Sequence, residues 1–151
     1  MITLQDYFGR YAQHPDAGPG MWSNADDLIS RVNELKEWAR AAGILVDEID
    51  ADTNSEISGS SVATGGGNGG FRPQECPVGA PDSAHKDAKA LDDFDPADAL
   101  DNWISEFDEE SGRRNAILEK FGLYREAPAA TPGWCHLTTR RPGSGKRTYN
   151  P

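Results

Sequence analysis

The chain has 151 residues, a net charge of −10 at pH 7, and a hydrophobic share of 36%. This length suits one domain rather than two, and the acidic balance disfavours nucleic-acid binding, which needs cationic groups that displace counterions. The start, MITLQDYFGR, lacks the regions of a secretory signal, and no apolar run approaches membrane-spanning length. We therefore expect synthesis in a cytoplasm, with neither a nucleic-acid nor a membrane partner.

The first long helix is predicted over residues 24–42, NADDLISRVNELKEWARAA. Asn24 or Ser23 has the side chain of a helix N-cap, and Gly43 suits the position after the C-terminus. Apolar residues recur at helical spacing and predict a core-facing stripe: Leu28, Val32, Leu35 and Ala39.

The middle of the chain is rich in glycine and serine. Residues 43–50 could start a strand, and 51–70 is predicted to be a flexible loop within the domain. Within that loop, residues 56–62 could form a short strand. Residues 63–70, ATGGGNGG, should be mobile because glycine loses the most conformational entropy on ordering. Residues 71–83 contain several prolines and are expected to form a structured loop.

Helices and short strands are mixed in the second half. A strand is predicted at 90–95, followed by a helix with Asp95 as cap and Pro96 in its first turn. A third, short helix is predicted from about residue 111 to residue 122. One apolar face of the second helix is formed by Leu100, Trp103, Ile104 and Phe107.

Two further strands are predicted near the C-terminus, at 123–126 and 134–139, with the breaker-rich segment APAATPG between them. No regular alternation of strand and helix is present. The pattern therefore predicts a single α+β domain over residues 1–151.

Cysteines and basic residues give weaker signals. Cys76 and Cys135 form no zinc-ribbon or redox pattern, so two free thiols are expected. The acidic chain ends in a basic segment, TTRRPGSGKRTYNP, which could bind an anion or could be a solvated edge. Its cationic residues are Arg140, Arg141, Lys146 and Arg147.

One constellation has the residue types of a metal site. His85 and Asp92 lie seven residues apart in SAHKDAKALD, and His136 lies in GWCHL. Zinc binds histidine nitrogen and carboxylate oxygen, and catalytic zinc sites use three protein ligands. Strand alternation places His136 on the opposite face from Cys135, which favours a His/Asp/His set over a cysteine ligand. The alternative interpretation is a surface His–Asp pair and a hydrogen-bonded strand histidine.

Three segments resemble, in order, the D-alanyl-D-alanine carboxypeptidase and L-alanyl-D-glutamate endopeptidase family of zinc peptidases. SAHKDAKALD resembles the S-x-H-x-x-G-x-A-x-D motif, with Ala88 at the usual glycine. GGFRP resembles the S-G-[YFW]-R-P segment, and GWCHL resembles the W-x-H segment. The early helix and the TRxPGSGxR-like tail at 139–147 are similar to the short members found in bacteriophages.

The resemblance implies a role for each matched residue. His85, Asp92 and His136 would hold Zn²⁺, and Ser83 would hydrogen-bond substrate or a zinc ligand. Arg72 would bind a substrate carboxylate or stabilise the oxyanion that develops during the reaction. It also implies a small antiparallel sheet with packed helices, as in Hedgehog and the D-Ala-D-Ala peptidases.

The general base departs from the family pattern. Gly133 occupies the position of the usual glutamate in E-x-x-H, and Thr138 occupies the position where some relatives have an aspartate. Glu126 is the best remaining candidate for the catalytic carboxylate, and the alternative for it is a solvated strand end. Asp93 and Asp95 are the next candidates.

Two functions follow from this resemblance. The first is a zinc-dependent peptidase that acts on peptidoglycan stem peptides, is encoded by a phage, and is synthesised in the host cytoplasm. The second is a non-catalytic zinc-binding virion or assembly protein that keeps the peptidase fold. The expected partners are a peptidoglycan peptide and, in the second case, virion proteins. The expected place of action is the cell wall or a virion.

Overall fold

A computed structural model describes residues 1–59, 69–113 and 115–151. In this part of the chain, four helices and a four-stranded sheet form a single α+β domain. The helices are α1 (Leu4–Phe8), α2 (Pro19–Ala41), α3 (Ala99–Ser111) and α4 (Ala116–Phe121). The strands are β1 (Ala90–Phe94), β2 (Tyr124–Glu126), β3 (Trp134–Thr138) and β4 (Thr148–Tyr149). Single 3₁₀ turns lie at Gly9–Tyr11, Ala84–Asp87 and Pro128–Ala130.

The sheet is mixed, with the strand order β1-β3-β2-β4. The expected antiparallel pairing holds for β1 with β3 and for β2 with β3, whereas β4 runs parallel to β2. The reason is that the chain turns after β3, passes the N-terminal end of β2 and then runs along the outer edge of that strand. The backbone N–H groups of Arg125 and Ala127 donate to the carbonyls of Arg147 and Tyr149.

Helix α2 begins five residues before its predicted start. Pro19 occupies the first turn, where its missing N–H costs nothing, and Gly18 takes the cap position. The side chain of Asn24 is therefore not a cap, and it donates instead to the carbonyl of Asp87, 2.9 Å away. The predicted end is confirmed, because the helix stops at Ala41 and Gly43 adopts a φ of 83°.

The predicted core stripe of α2 is confirmed. Leu28, Val32, Leu35 and Ala39 are each fully buried. Side chains of α2 and α3 contact one face of the sheet, where Lys36 binds Asp93 and Asp101 binds Arg125, and we call this face the helix face. We call the opposite face the cleft face; its side chains Asp92, His136 and Thr138 are buried.

The strand suggested at 43–50 is wrong. The only pairing of this segment within the described residues is a single bridge between Asp50 and Ser55. Most of its large apolar side chains are not packed in the core: Val46 is buried, whereas Leu45 and Ile49 are exposed.

The glycine-rich segment is only partly described. The strand suggested at 56–62 reduces, in its described portion, to one bridge between Ile57 and Asp93. The mobility predicted for 63–70 falls mainly on residues 63–68, which lie outside the described ranges. Gly69 and Gly70 are buried, and a Cβ on Gly70 would lie 2.1 Å from the carbonyl oxygen of Tyr7.

Helices α3 and α4 start later than the sequence predicted. The Asp95 carboxylate accepts from the backbone N–H groups of Ala99 and Leu100, at 2.7 and 3.0 Å. It therefore caps the first backbone N–H groups of α3, as expected, although Pro96 lies before the helix instead of in its first turn. Helix α4 begins only at Ala116, where the Asp108 carboxylate accepts from the backbone N–H groups of Asn115 and Ala116.

Cys76 and Cys135 are both buried free thiols, as predicted. No helix in the described part of the chain is long and apolar enough to cross a membrane.

Candidate metal centre

A cleft of about 590 Å³ lies on the cleft face of the sheet. Its walls are the 72–85 segment on one side and the segment after β3 on the other. All six residues singled out from the sequence as site candidates line it: Arg72, Ser83, His85, Asp92, Glu126 and His136.

Three buried side chains converge at the bottom of this cleft. Asp92 Oδ1 lies 2.7 Å from His136 Nδ1 and 3.4 Å from His85 Nε2. Asp92 and His136 face each other because they are paired across β1 and β3. His85 reaches them from the 3₁₀ turn that precedes β1. The trio could hold a metal ion, since one ligand atom from each residue lies within 4.8 Å of the others.

Neighbouring groups fix the orientation of two ligands. His85 Nδ1 donates to the carbonyl oxygen of Gly70 at 2.8 Å, so the lone pair of this ring is on Nε2 and faces Asp92. Arg72 donates from Nη2 to Asp92 Oδ2 at 3.1 Å, which leaves Oδ1 facing the two histidines. Such outer hydrogen bonds are typical of metal sites, where they hold the ligands in position.

One of the two distances from Asp92 to the histidines has the spacing of tetrahedral metal ligands. Zinc–ligand bonds of about 2.1 Å at tetrahedral angles place neighbouring ligand atoms about 3.4 Å apart. The 3.4 Å between His85 and Asp92 already meets this spacing. The 2.7 Å between His136 Nδ1 and Asp92 Oδ1 is a hydrogen bond and is shorter than this spacing. The donor set of two imidazoles and one carboxylate is typical of catalytic zinc sites.

The pKa values of the three residues in the trio shift in different directions. Burial would raise the pKa of Asp92, but the charges and hydrogen bonds of both histidines lower it well below its usual range. Burial lowers the pKa of His85. Burial acts in the same direction on His136, but the hydrogen bond and charge of Asp92 outweigh it and raise the pKa. At neutral pH, therefore, Asp92 is ionised and His85 is neutral, as metal binding requires, whereas the raised pKa of His136 favours a protonated ring whose proton a metal ion would have to displace.

Glu126 lies at the edge of the trio. Its Oε1 is 3.9 Å from His136 Nε2, because the antiparallel register of β2 and β3 places Glu126 opposite His136. Its side chain is half-buried and burial raises its pKa. Asp93 and Asp95 are in different places: Asp93 faces Lys36 on the helix face, and Asp95 binds the start of α3.

Arg72 and Ser83 form one wall of the cleft. The Arg72 guanidinium is buried and lies so close to Gly79 that a Cβ there would come within 2.9 Å of Nη1. The same hypothetical Cβ would lie 3.3 Å from Ser83 Oγ, so a larger residue at position 79 would push into both side chains. Gly79 also has a φ of 82°, which favours glycine.

The basic C-terminal segment divides between two surfaces. Arg140 and Arg141 line the cleft, while Lys146 and Arg147 line a separate depression beside α3. Arg140 is held at the rim by the nearby carboxylates of Asp82 and Asp87, each 3.7 Å away.

Sequence reasoning missed Tyr149, which also lines the cleft. This residue lies on β4, which was not predicted, and it is paired with Glu126. Burial, together with the negative charges of Glu126 and Asp92, raises the pKa of its hydroxyl. The only available signal was a pair of β-forming residues in a basic tail, which is too short to indicate a strand.

A second group of possible metal ligands lies at the surface: His14, Asp16 and Glu75. The backbone N–H of Asp16 donates to His14 Nδ1 at 3.1 Å, which places the proton of a neutral ring on Nε2, facing Glu75 at 2.7 Å. This arrangement is a hydrogen-bonded cluster in which the lone pair on His14 Nδ1 already accepts from a backbone N–H.

Comparison with known proteins gives no relative: no family model, curated protein or solved structure matches this chain.

Proposed function

We propose that the protein is a zinc-dependent peptidase that acts on peptidoglycan stem peptides. The observation that carries the proposal is the buried His85–Asp92–His136 trio at the bottom of an open cleft, with Glu126 beside it. A structural histidine cluster would not need a cleft, and a structural zinc site would use four protein ligands. The resemblance of three ordered segments to zinc peptidases of the cell wall supports the same class.

Zinc in such a site polarises a carbonyl group and makes water a stronger nucleophile near neutral pH. The chain supplies the remaining chemistry. In this proposal Glu126 would accept the proton of the attacking water and return it to the leaving amine, because it lies 3.9 Å from His136 and burial raises its pKa. Asp92 is held by Arg72, so that the metal ligands stay in position while substrate enters.

The cationic residues around the cleft suit a substrate that carries carboxylates. Stem peptides of peptidoglycan have several such groups, whereas the protein itself has a net charge of −10. A local cation is therefore needed to attract them. Arg141 is exposed at the cleft wall, and Arg72 lies at its base. In this proposal the protein acts at the cell wall, or from a virion that reaches it.

A non-catalytic zinc protein of a virion is the second candidate. The observation that favours it is Gly133, which provides no side chain where the resembled peptidases have their glutamate. In that case the trio would bind zinc and stabilise the fold, and Glu126 would have no chemical role.

Metal analysis combined with a digest of purified peptidoglycan tests both candidates. Protein purified without chelator should contain about one zinc per chain and release muropeptide fragments. His136→Ala should lose most of the zinc and the activity. His14→Ala is the matched control, because this histidine lies outside the cleft, and it should retain both.

The outcomes separate the candidates. Unchanged zinc content in His136→Ala would contradict the metal site itself. A full zinc content with no hydrolysis of peptidoglycan from several bacteria would favour the virion protein.

A further inference from the structure

Strand β4 brings a tyrosine to the proposed active site. Thr148 and Tyr149 pair in parallel with Arg125 and Glu126 of β2. Paired residues of neighbouring strands project to the same side of a sheet. Since Glu126 faces the cleft, Tyr149 must face it as well, and both side chains line it.

The pairings extend this arrangement across the whole sheet. Asp92 of β1 is paired with His136 of β3, the register of β3 and β2 places Glu126 next to His136, and Tyr149 is paired with Glu126. Each of the four strands thus contributes one side chain to a single row. Neighbouring strands lie about 4.8 Å apart, so an extended peptide of a few residues would span this row.

Asp92, His136 and Glu126 of this row do not supply a hydrogen-bond donor for the substrate carbonyl. Asp92 and Glu126 accept hydrogen bonds when they are ionised, and His136 belongs to the metal ligands. A peptide carbonyl that is attacked by water gains negative charge on its oxygen, and a donor aimed at that oxygen stabilises the transition state. A phenol hydroxyl is such a donor in its neutral form.

We propose that Tyr149 is a further catalytic residue, whose hydroxyl donates a hydrogen bond to the carbonyl oxygen of the scissile peptide as negative charge develops there. The inference rests on the proposed peptidase function. Tyr149 transfers no proton. The water oxygen forms the new bond to carbon, its proton passes to Glu126, and that proton leaves with the amine when the C–N bond breaks.

Tyr149→Phe tests the proposal, because it removes the hydroxyl and keeps the ring. Zinc-loaded Tyr149→Phe should keep its zinc and its melting temperature. It should lose kcat on a stem peptide by about 10²-fold, with KM changed by less than about threefold. Tyr124→Phe is the matched control: it removes the same group from the neighbouring strand, where the ring stacks under Arg147 outside the cleft, and kcat should not change.

A phosphinate analogue of the stem peptide, which mimics the tetrahedral transition state, provides a readout that does not need turnover. Its Kd should rise at least about tenfold in Tyr149→Phe and stay constant in Tyr124→Phe. If the unmutated protein binds the analogue without hydrolysing the peptide, the peptidase proposal fails. The change in Kd in Tyr149→Phe still shows whether the Tyr149 hydroxyl contacts the analogue.

Two results would overturn the role of Tyr149. One is a Tyr149→Phe variant with unchanged kcat and unchanged Kd for the phosphinate. The other is a zinc-loaded unmutated protein that neither hydrolyses the peptide nor binds the analogue, which would overturn the peptidase proposal at the same time.

Discussion

The two faces of the sheet both bury ionisable side chains, but they neutralise them differently. On the helix face, Lys36 lies 2.5 Å from Asp93 and 2.6 Å from Glu56, and Arg125 lies 2.7 Å from Asp101. There each buried cation has a carboxylate partner from the chain itself. On the cleft face, by contrast, two histidines and the guanidinium of Arg72 share the single carboxylate Asp92, at the bottom of a cleft that a ligand can enter.

Adjacent residues of β1 make the contrast clear. Asp92 and Asp93 point to opposite faces, and their pKa values shift in opposite directions. The histidines lower the pKa of Asp92, whereas burial and the nearby carboxylate of Glu56 raise the pKa of Asp93 to about 7 despite its contact with Lys36. On the helix face, burial therefore makes the ionised form of Asp93 depend on Lys36, while on the cleft face Asp92 stays ionised beside the two histidines.

The largest expected effect concerns chemistry on the cleft face. Glu126→Gln keeps the shape of the side chain and removes its ability to accept a proton. The rate of peptidoglycan hydrolysis should fall by about 10²–10⁴-fold, which is the usual contribution of a general base. Zinc content and the free energy of unfolding should stay close to those of the unmutated protein, because Glu126 is not one of the three proposed ligands.

Glu106→Gln is the matched control for this variant. Glu106 is exposed on α3, away from the cleft, and its substitution should leave the rate unchanged. Full activity in Glu126→Gln would exclude Glu126 as the base. The structure then leaves no substitute in Asp93 or Asp95, since the first faces the helices and the second binds the start of α3.

A smaller effect, on stability, is expected on the helix face. Lys36→Met leaves Asp93 and Glu56 buried without their shared cation, and Glu56 keeps only the N-terminal amine. Removing one partner of a buried ion pair typically costs about 3–5 kcal/mol. Urea unfolding should show a loss of this size at pH 7, with zinc content unchanged in the folded protein.

The control for this variant is Lys146→Met, which removes an exposed lysine and should change the free energy of unfolding by less than about 0.5 kcal/mol. A loss below about 1 kcal/mol in Lys36→Met would mean that Asp93 and Glu56 bind protons or water easily once the lysine is gone. The two faces would then differ less than their contacts suggest.

How far the sequence predicts this molecule depends on the range of each interaction. The helix stripe of α2 was predictable because a local period of 3.6 residues places Leu28, Val32 and Leu35 on one side. Residues 43–50 were mistaken for a strand because apolar residues in a short segment do not reveal whether a partner strand is present.

The candidate site was predictable in its ligands and not in its surroundings. His85, Asp92 and His136 have the residue types of metal ligands, and strand alternation correctly placed His136 and Cys135 on opposite faces. Tyr149 could not be found in this way. Strand β4 has two residues, too few for any period, and it exists only because the chain returns along β2.

The smallest expected effect is for an ion pair one helical turn beyond Lys36. Arg40 of α2 donates from Nε and Nη2 to the two oxygens of Asp47, at 2.8 and 2.5 Å, but both side chains are more than 40% exposed. Exposed pairs contribute only about 0.2–1 kcal/mol, because water screens the charges, so Arg40→Met should cost that much. The hydrogen bond from Arg40 lowers the pKa of Asp47. The contribution of this ion pair to the free energy of unfolding should therefore be complete above the unfolded pKa of aspartate, about 3.9. It should vanish as the pH falls through the lower pKa of the folded state. Urea unfolding of both proteins at pH 7 and near pH 2.5 would show this convergence, and a cost as large as that of Lys36→Met would contradict the view that burial sets the strength of the two pairs.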